Sequence, residues 1–243
     1  MPEVQPSAPA GDLRHELTQI AELAGGLAHE LRNPLSTMMI NLKLLAEELQ
    51  NLEAQPADTR RRALLKVDVL RREAERLQVL FEEFLNLTGQ RTLERRPIDL
   101  NLIVARLVEF CEPLMKAHHV RVRVVAGAPS VMCVADEKLL SQALLNIVIN
   151  AQQAMPGGGE ISIATALNRP FALVSVRDTG VGIAEADRER ILRPFFSTKA
   201  RGTGLGLSIT QRIVHEHGGT LTLCSEVSKG TTFMIRLPSA DRA

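Results

Sequence analysis

The chain has 243 residues, enough for one large domain or two ordinary ones, and its hydrophobic fraction of 45% and charged fraction of 23% are those of a globular protein. A formal net charge of +1 gives no electrostatic reason to expect nucleic acid or an anionic membrane as a partner, and seven Phe without Trp or Tyr argue against a base-stacking platform. No stretch approaches ~18 consecutive apolar residues, so no membrane span is expected, and Cys111, Cys133 and Cys224 lie scattered without metal-ligand spacing, as in a reducing, cytoplasmic setting.

Residues 1–12 are proline-rich without an apolar signal core, and read as a disordered lead-in. From Leu13 to about Asn51, Leu17, Ile20, Leu23, Leu27, Leu31, Met38, Leu42, Leu45 and Leu49 recur at three- and four-residue steps, which predicts a long amphipathic helix. Pro34 should kink or loosen it. Residues 52–58 predict a short turn, with Asp58 or Thr59 as cap of a second helix. That helix carries Leu64, Val67, Leu70, Ala74, Leu77, Phe81, Phe84 and Leu87 on one face and ends near Thr88-Gly89. Two long helices and a short loop make an antiparallel hairpin over residues 13–89. One hairpin cannot cover both of its apolar stripes, so a homodimer forming a four-helix bundle is expected; packing on the chain's own C-terminal half is the alternative.

Polar, basic residues 90–97 read as a linker, and the pattern then changes over residues 98–240. Asp99 can cap a helix from Leu100 to about Lys116, and Asp136 another running to Ala154. Val120–Val125, Val131–Val134, Ile161–Ala166 and Ala172–Val176 read as strands, the last two joined through Asn168-Arg169-Pro170. Leu207–His217 predicts a helix stopped by Gly218-Gly219. Leu221–Cys224 and Thr232–Leu237 complete a hairpin turning near Lys229-Gly230. The mixture predicts an α/β sandwich with helices on one face of a sheet.

His29 is two positions from both Leu27 and Leu31 and so points about 200° around the helix from each, away from the apolar stripe. A solvated surface histidine would account for that alone. Its neighbours add chemistry: a neutral imidazole is a nitrogen nucleophile near neutral pH, and Glu30 can take up or orient the proton it loses. Asn33, one turn on, shares the face of His29 and can hold a phosphoryl oxygen or a water, and Pro34 frees a backbone carbonyl. The segment His29-Glu30-Leu31-Arg32-Asn33-Pro34-Leu35 resembles the H-box of histidine kinases at every position.

Further motifs follow in that family's order. Asn146 and Asn150 lie four apart on one helix face within an apolar run, where an unpaired amide is costly. Amide oxygens suit Mg²⁺, and the segment resembles the N-box of the ATP-binding fold shared with gyrase, the mismatch-repair ATPase and a heat-shock chaperone. The resemblance implies Mg²⁺ on Asn150, with Asn146 reaching it through a water. Asp178-Thr179-Gly180-Val181-Gly182 follows a strand and resembles the G1-box, in which the Asp selects adenine while Gly180 and Gly182 admit backbone to the base. Gly202-Thr203-Gly204-Leu205-Gly206-Leu207 opens a helix whose free N–H groups suit a triphosphate, and resembles the G2-box. The dinucleotide G-x-G-x-x-G spacing and the Walker pattern are both absent. Arg193–Lys199 resembles the F-box: paired Phe suggest a mobile lid with apolar anchors, and Lys199 could reach the β- or γ-phosphate. Gly230-Thr231-Thr232-Phe233 resembles the last glycine motif, where Thr231 would support the adenine pocket. Many relatives carry a Tyr near residues 153–155; with none here, an aliphatic nucleoside wall is expected.

The resemblance implies a dimerisation and phosphoacceptor hairpin followed by an ATP-binding domain of the Bergerat, or GHKL, type. It implies ATP and Mg²⁺ as cofactors, autophosphorylation of His29 after the ATP-binding domain swings about the linker, and onward transfer to the receiver domain of a response regulator. Input is expected from an upstream sensor domain or a partner. The rival within the fold is an ATPase, but a hydrolase needs a general base where Asn146 stands. A scaffold without activity would have lost His29, Asn150 or Asp178, and all three are present.

Overall fold

The computed structural model describes residues 27–28, 31–47, 56–88, 92–199 and 202–240. The chain divides into two compact units between Thr88 and Gly89.

In the first unit, residues 27–28 and 31–47 are helical, the latter run here labelled α1, and α2 spans Pro56–Thr88. Pro56 itself opens α2, which corrects the expected start at Asp58 or Thr59. Proline suits a first helical position, where its missing N–H has no partner to lose and its φ is already helical. Pro34 is buried within α1, while Met39, Leu42, Leu64 and Phe81 remain half or more exposed in the single chain.

The second unit begins with a strand that the sequence did not suggest. β1 (Arg96–Asp99) takes the end of the segment read as linker and pairs antiparallel with β3 (Met132–Ala135). Asp99 then caps α3 (Leu100–Ala117), accepting from the Asn101 N–H at 3.0 Å and from the Val131 N–H at 3.0 Å. Asp136 caps α4 (Glu137–Gln153) through the N–H groups of Lys138 and Leu139. Capping chemistry is local, so both starts were legible.

The main sheet runs β2-β4-β5-β7-β6, from β2 (Val120–Ala126), β4 (Gly159–Asn168), β5 (Phe171–Asp178), β6 (Thr220–Glu226) and β7 (Gly230–Pro238). β2 and β4 are parallel, and the other pairs antiparallel. Register aligns Ile163 with Val176 and Val176 with Phe233, then Thr165 with Val174 and Val174 with Ile235. These rows form the buried face, where they join core residues of α3, α4 and α5 (Gly206–Glu216) such as Val104, Leu144 and Val214. Strand side chains alternate between faces, so the same rows carry Ile161 and, opposite it, Asp178 to the helix side at one end of the sheet. That end is where the glycine motifs gather.

Candidate functional site

Asp178 is the last residue of β5 and only 3% exposed. A buried carboxylate needs donors. One oxygen accepts from the Gly180 N–H at 2.8 Å and from the Thr231 N–H at 3.2 Å. Burial pushes its carboxyl above the usual range, against the pull of those two N–H groups and of the Lys199 charge.

Glycine is required around it. A Cβ on Gly180 would stand 2.6 Å from the Ala154 carbonyl oxygen, where the Val181 N–H donates at 3.1 Å. Gly230 has φ +98° and its α-carbon lies against the Asp178 carbonyl, leaving no room for a side chain. Gly182, at φ +70°, lies against the Glu226 carbonyl of the β6–β7 turn. Ser225 completes the corner, its hydroxyl accepting from the Ile183 N–H and lying 2.9 Å from that of Thr231. Thr231 therefore supports Asp178 through its backbone and the turn through its side chain. Gly230 was marked by its glycine motif, whereas Ser225 is a site-building residue that was not singled out, since a serine in a strand carries no signal.

On α4, Asn146 and Asn150 are half-buried and both amides are engaged. Asn146 Nδ2 donates to the Gly206 carbonyl at 3.1 Å, tying α4 to the first residue of α5. Asn150 Oδ1 accepts from Lys199 Nζ at 3.1 Å, and Gln153 Oε1 accepts from the same ammonium at 2.6 Å. Burial lowers the Lys199 ammonium from its ordinary range, while the Asp178 charge opposes the shift. Where the aliphatic nucleoside wall is expected, Gln153 presents an amide to Lys199, and Met155 is buried with its sulfur 3.5 Å from Thr179 Oγ1.

The segment between the glycine motifs contains two short 3₁₀ turns, Glu185–Asp187 and Arg190–Leu192, followed by the paired Phe. Arg190 stacks on Phe196, its guanidinium carbon 4.3 Å from the ring centroid. Gly204, at φ +69°, approaches the Phe195 backbone so closely that a Cβ would stand 2.5 Å from the Phe195 carbonyl carbon. Gly202 presses on Ser197 and donates its N–H to the Lys199 carbonyl at 3.2 Å. The Leu205 N–H donates to Thr203 Oγ1 at 3.4 Å, and the Leu205 side chain is buried in the core. α5 then starts with no side-chain cap, which leaves its first N–H groups without a side-chain acceptor, as at a helix N-terminus that receives an anion.

The structure thus gathers Asp178, Gly180, Gly230 and Thr231 into one cluster, and joins Asn150 to Lys199 and Asn146 to Gly206. The donor set fits a nucleotide with a divalent cation. A buried carboxylate stands ready for an amine, and a cation already rests on Asn150 Oδ1, a hard oxygen of the kind Mg²⁺ takes alongside phosphate and water. Among the described residues no group of three or more His, Cys, Asp and Glu could hold a metal without such phosphates. His29 and Glu30 lie outside the described residues. Asn33 is exposed on α1, its carbonyl accepting from the Thr37 hydroxyl at 3.2 Å.

Two family models match the chain: His Kinase A (phospho-acceptor) domain over residues 19–90, and Histidine kinase-, DNA gyrase B-, and HSP90-like ATPase over residues 135–241. The sensor histidine kinase ZraS of Escherichia coli strain K12 is 35% identical over 225 residues, 93% of this chain and 47% of that protein, so the chain spans about half the length of the curated relatives it matches. The catalytic domain of histidine kinase ThkA is 30% identical with a TM-score of 0.57, covering 60% of this chain and 96% of that one. ThkA in complex with the response regulator protein TrrA is 26% identical with a TM-score of 0.75, covering 94% of this chain and 64% of that one.

Proposed function

The chain belongs to the sensor histidine kinase family, and on that premise we propose that it binds ATP with Mg²⁺ and places the γ-phosphoryl group on His29. The phosphoryl group then passes to an Asp of a response-regulator receiver domain, the class of partner named in the ThkA complex. The observation that carries this reading is the cluster around Asp178, a buried acceptor framed by glycines and braced by the Thr231 N–H, in a chain that also holds the His29 segment.

Each residue has a role in this reaction. Asp178 accepts from the exocyclic amine of adenine, which selects it over guanine. Gly180 and Gly182 let backbone approach the base. The N–H groups of Gly202 to Gly206 and the start of α5, with Thr203 beside them, receive phosphate oxygens. Asn150 Oδ1 would hold Mg²⁺, which when bound would neutralise charge on the phosphates, and Asn146 would reach that ion through a water. A ring nitrogen of His29 bonds to the γ-phosphorus as the bond to the β–γ bridging oxygen breaks, and Glu30 takes up the imidazole proton. Hydrolysis by water is disfavoured because Asn146 stands where the fold's hydrolases carry a general base, and an amide cannot take a proton. The apolar residues left exposed on α1 and α2 support a homodimer through residues 13–88.

The test is incubation with γ-labelled ATP and Mg²⁺. The expected label is acid-labile, alkali-stable and absent from His29→Gln, and it chases into an isolated receiver domain. Acid-stable label, or undiminished label in His29→Gln, contradicts the proposal. Asn33 adds a second activity: an amide one turn from His29 can hold the water that removes a phosphoryl group from the receiver Asp. Asn33→Ala is expected to lose most phosphatase activity and keep substantial autophosphorylation. A parallel fall of both rates with the melting temperature would make Asn33 structural.

A further inference from the structure

The ammonium of Lys199 rests on Asn150 Oδ1, the oxygen assigned to the metal above, and it does so from a fixed perch. The Lys199 N–H donates to Ser197 Oγ at 3.1 Å, and the Lys199 carbonyl accepts from Ser197 Oγ at 3.3 Å and from the Gly202 N–H at 3.2 Å. From that perch the side chain reaches α4, 49 residues away in sequence, and divides its ammonium between Asn150 and Gln153. Those two amides are three apart on one helix, hence on one face. The shorter bond, 2.6 Å, goes to Gln153, which no motif had marked.

An amide oxygen has two lone pairs, but an ammonium and a divalent cation sharing it would stand within about 5 Å of each other and repel. An ammonium is a compact point charge with three donors, and each bond it makes to a neutral oxygen is charge-assisted. We infer that Lys199 is a resident cation of the metal position, that Mg²⁺ entering with the nucleotide displaces it from Asn150, and that Gln153 is the positioning residue that keeps it at hand. Held by Gln153 alone, the ammonium retains two free donors beside the phosphates. The inference rests on the proposed nucleotide site and deepens it: metal and lysine compete for Asn150, and part of the binding strength that Mg²⁺ contributes is spent on removing Lys199.

The competition has a signature that a plain phosphate-contacting lysine lacks. The quantity to measure is the ratio of ADP affinity with excess Mg²⁺ to ADP affinity with excess EDTA, by calorimetry on the full chain. ADP lacks the γ-phosphate, one of the two phosphates with which Lys199 could offset its loss. Lys199→Met is expected to raise this ratio about three- to tenfold, the worth of one partly solvated charged hydrogen bond. Gln153→Met should raise it less. In an Asn150→Ala background, Lys199→Met should leave the ratio unchanged, because the contested oxygen is gone. Melting curves without nucleotide identify any variant that has lost its fold, and Lys199→Gln, which keeps length and polarity without charge, then stands in for it. If Lys199→Met and Lys199→Gln weaken ADP equally with and without Mg²⁺, so that the ratio does not move, the competition is refuted while the nucleotide site stands. If the unaltered chain binds no ADP in either condition, the site itself falls.

Discussion

Asp178 is the residue on which the nucleotide reading turns, and its burial gives two pH effects of opposite sign. Its carboxyl titrates above the usual range, so the folded chain holds that proton more tightly than the unfolded one. By linkage this group's contribution to stability is fully present below the unfolded pKa and is lost as pH rises through the folded one. ATP affinity should run the other way, falling on acidification through the same raised pKa as the acceptor becomes protonated. Asp178→Asn is expected to abolish both dependences and to weaken ATP by about 1.5–3 kcal/mol, roughly ten- to a hundredfold at neutral pH. Calorimetry across acidic pH that finds the unaltered chain's affinity flat would count against an ionised acceptor. Gly230→Ala should also weaken ATP without touching it, because the left-handed conformation alone costs a side chain about 1–2 kcal/mol and the Asp178 backbone must move to admit the methyl group. Asp178 and the glycines were legible from sequence because they lie in short motifs. Gln153 and Ser225 were not, since their partners Lys199 and Ile183 lie far away in sequence and only the fold brings them together.

At the scale of elements, the α4 N-terminus ties several segments together. Asp136 caps α4 with one carboxylate oxygen, accepts from the Glu94 N–H at 3.1 Å with the other, and donates its own N–H to His217 Nε2 at 2.8 Å. His217 Nδ1 in turn donates to the Ile213 carbonyl of α5 at 2.7 Å. Losing the cap alone should cost about 1–2 kcal/mol. For a unit of this size that lowers the melting temperature by roughly 2–8 °C, and Asp136→Asn should recover much of it. A melting temperature unmoved in Asp136→Ala would show that neither the cap nor the carboxylate's bond to the Glu94 N–H stabilises the unit. Elements fixed by local chemistry were readable: both capped helices, the strands with alternating β-branched residues, and the hairpin through Gly230. β1 was missed because Arg96-Pro97 shows no alternation and is a strand only through its pairing with β3. The parallel pairing of β2 with β4 was likewise invisible, since α3, β3 and α4 give no local hint of which edge β2 joins.

At the scale of the whole chain, the proposed reaction would divide its labour between the two units. The helical unit carries the His29 segment and keeps residues such as Met39 (68% exposed), Leu64 (60%) and Phe81 (54%) available for a second copy. The α/β unit has its own continuous core and completes the Asp178 cluster within itself. Residues 91–243 alone are therefore expected to be monomeric in light scattering and to bind ATP within about threefold of the full chain, or ~0.7 kcal/mol. The full chain should be a dimer. A dimeric fragment would move the interface to the wrong unit. The central claim is that nucleotide bound in one unit is spent on a histidine of the other. Its most direct test is to incubate the full chain with ATP and Mg²⁺, digest it at neutral to alkaline pH, and map the phosphoryl group by mass spectrometry. The account predicts one phosphoryl group on the peptide bearing His29, located on the imidazole, and its disappearance in Asp178→Asn at limiting ATP. A phosphoryl group found on a serine, threonine or other histidine, with the His29 peptide unmodified, would contradict it.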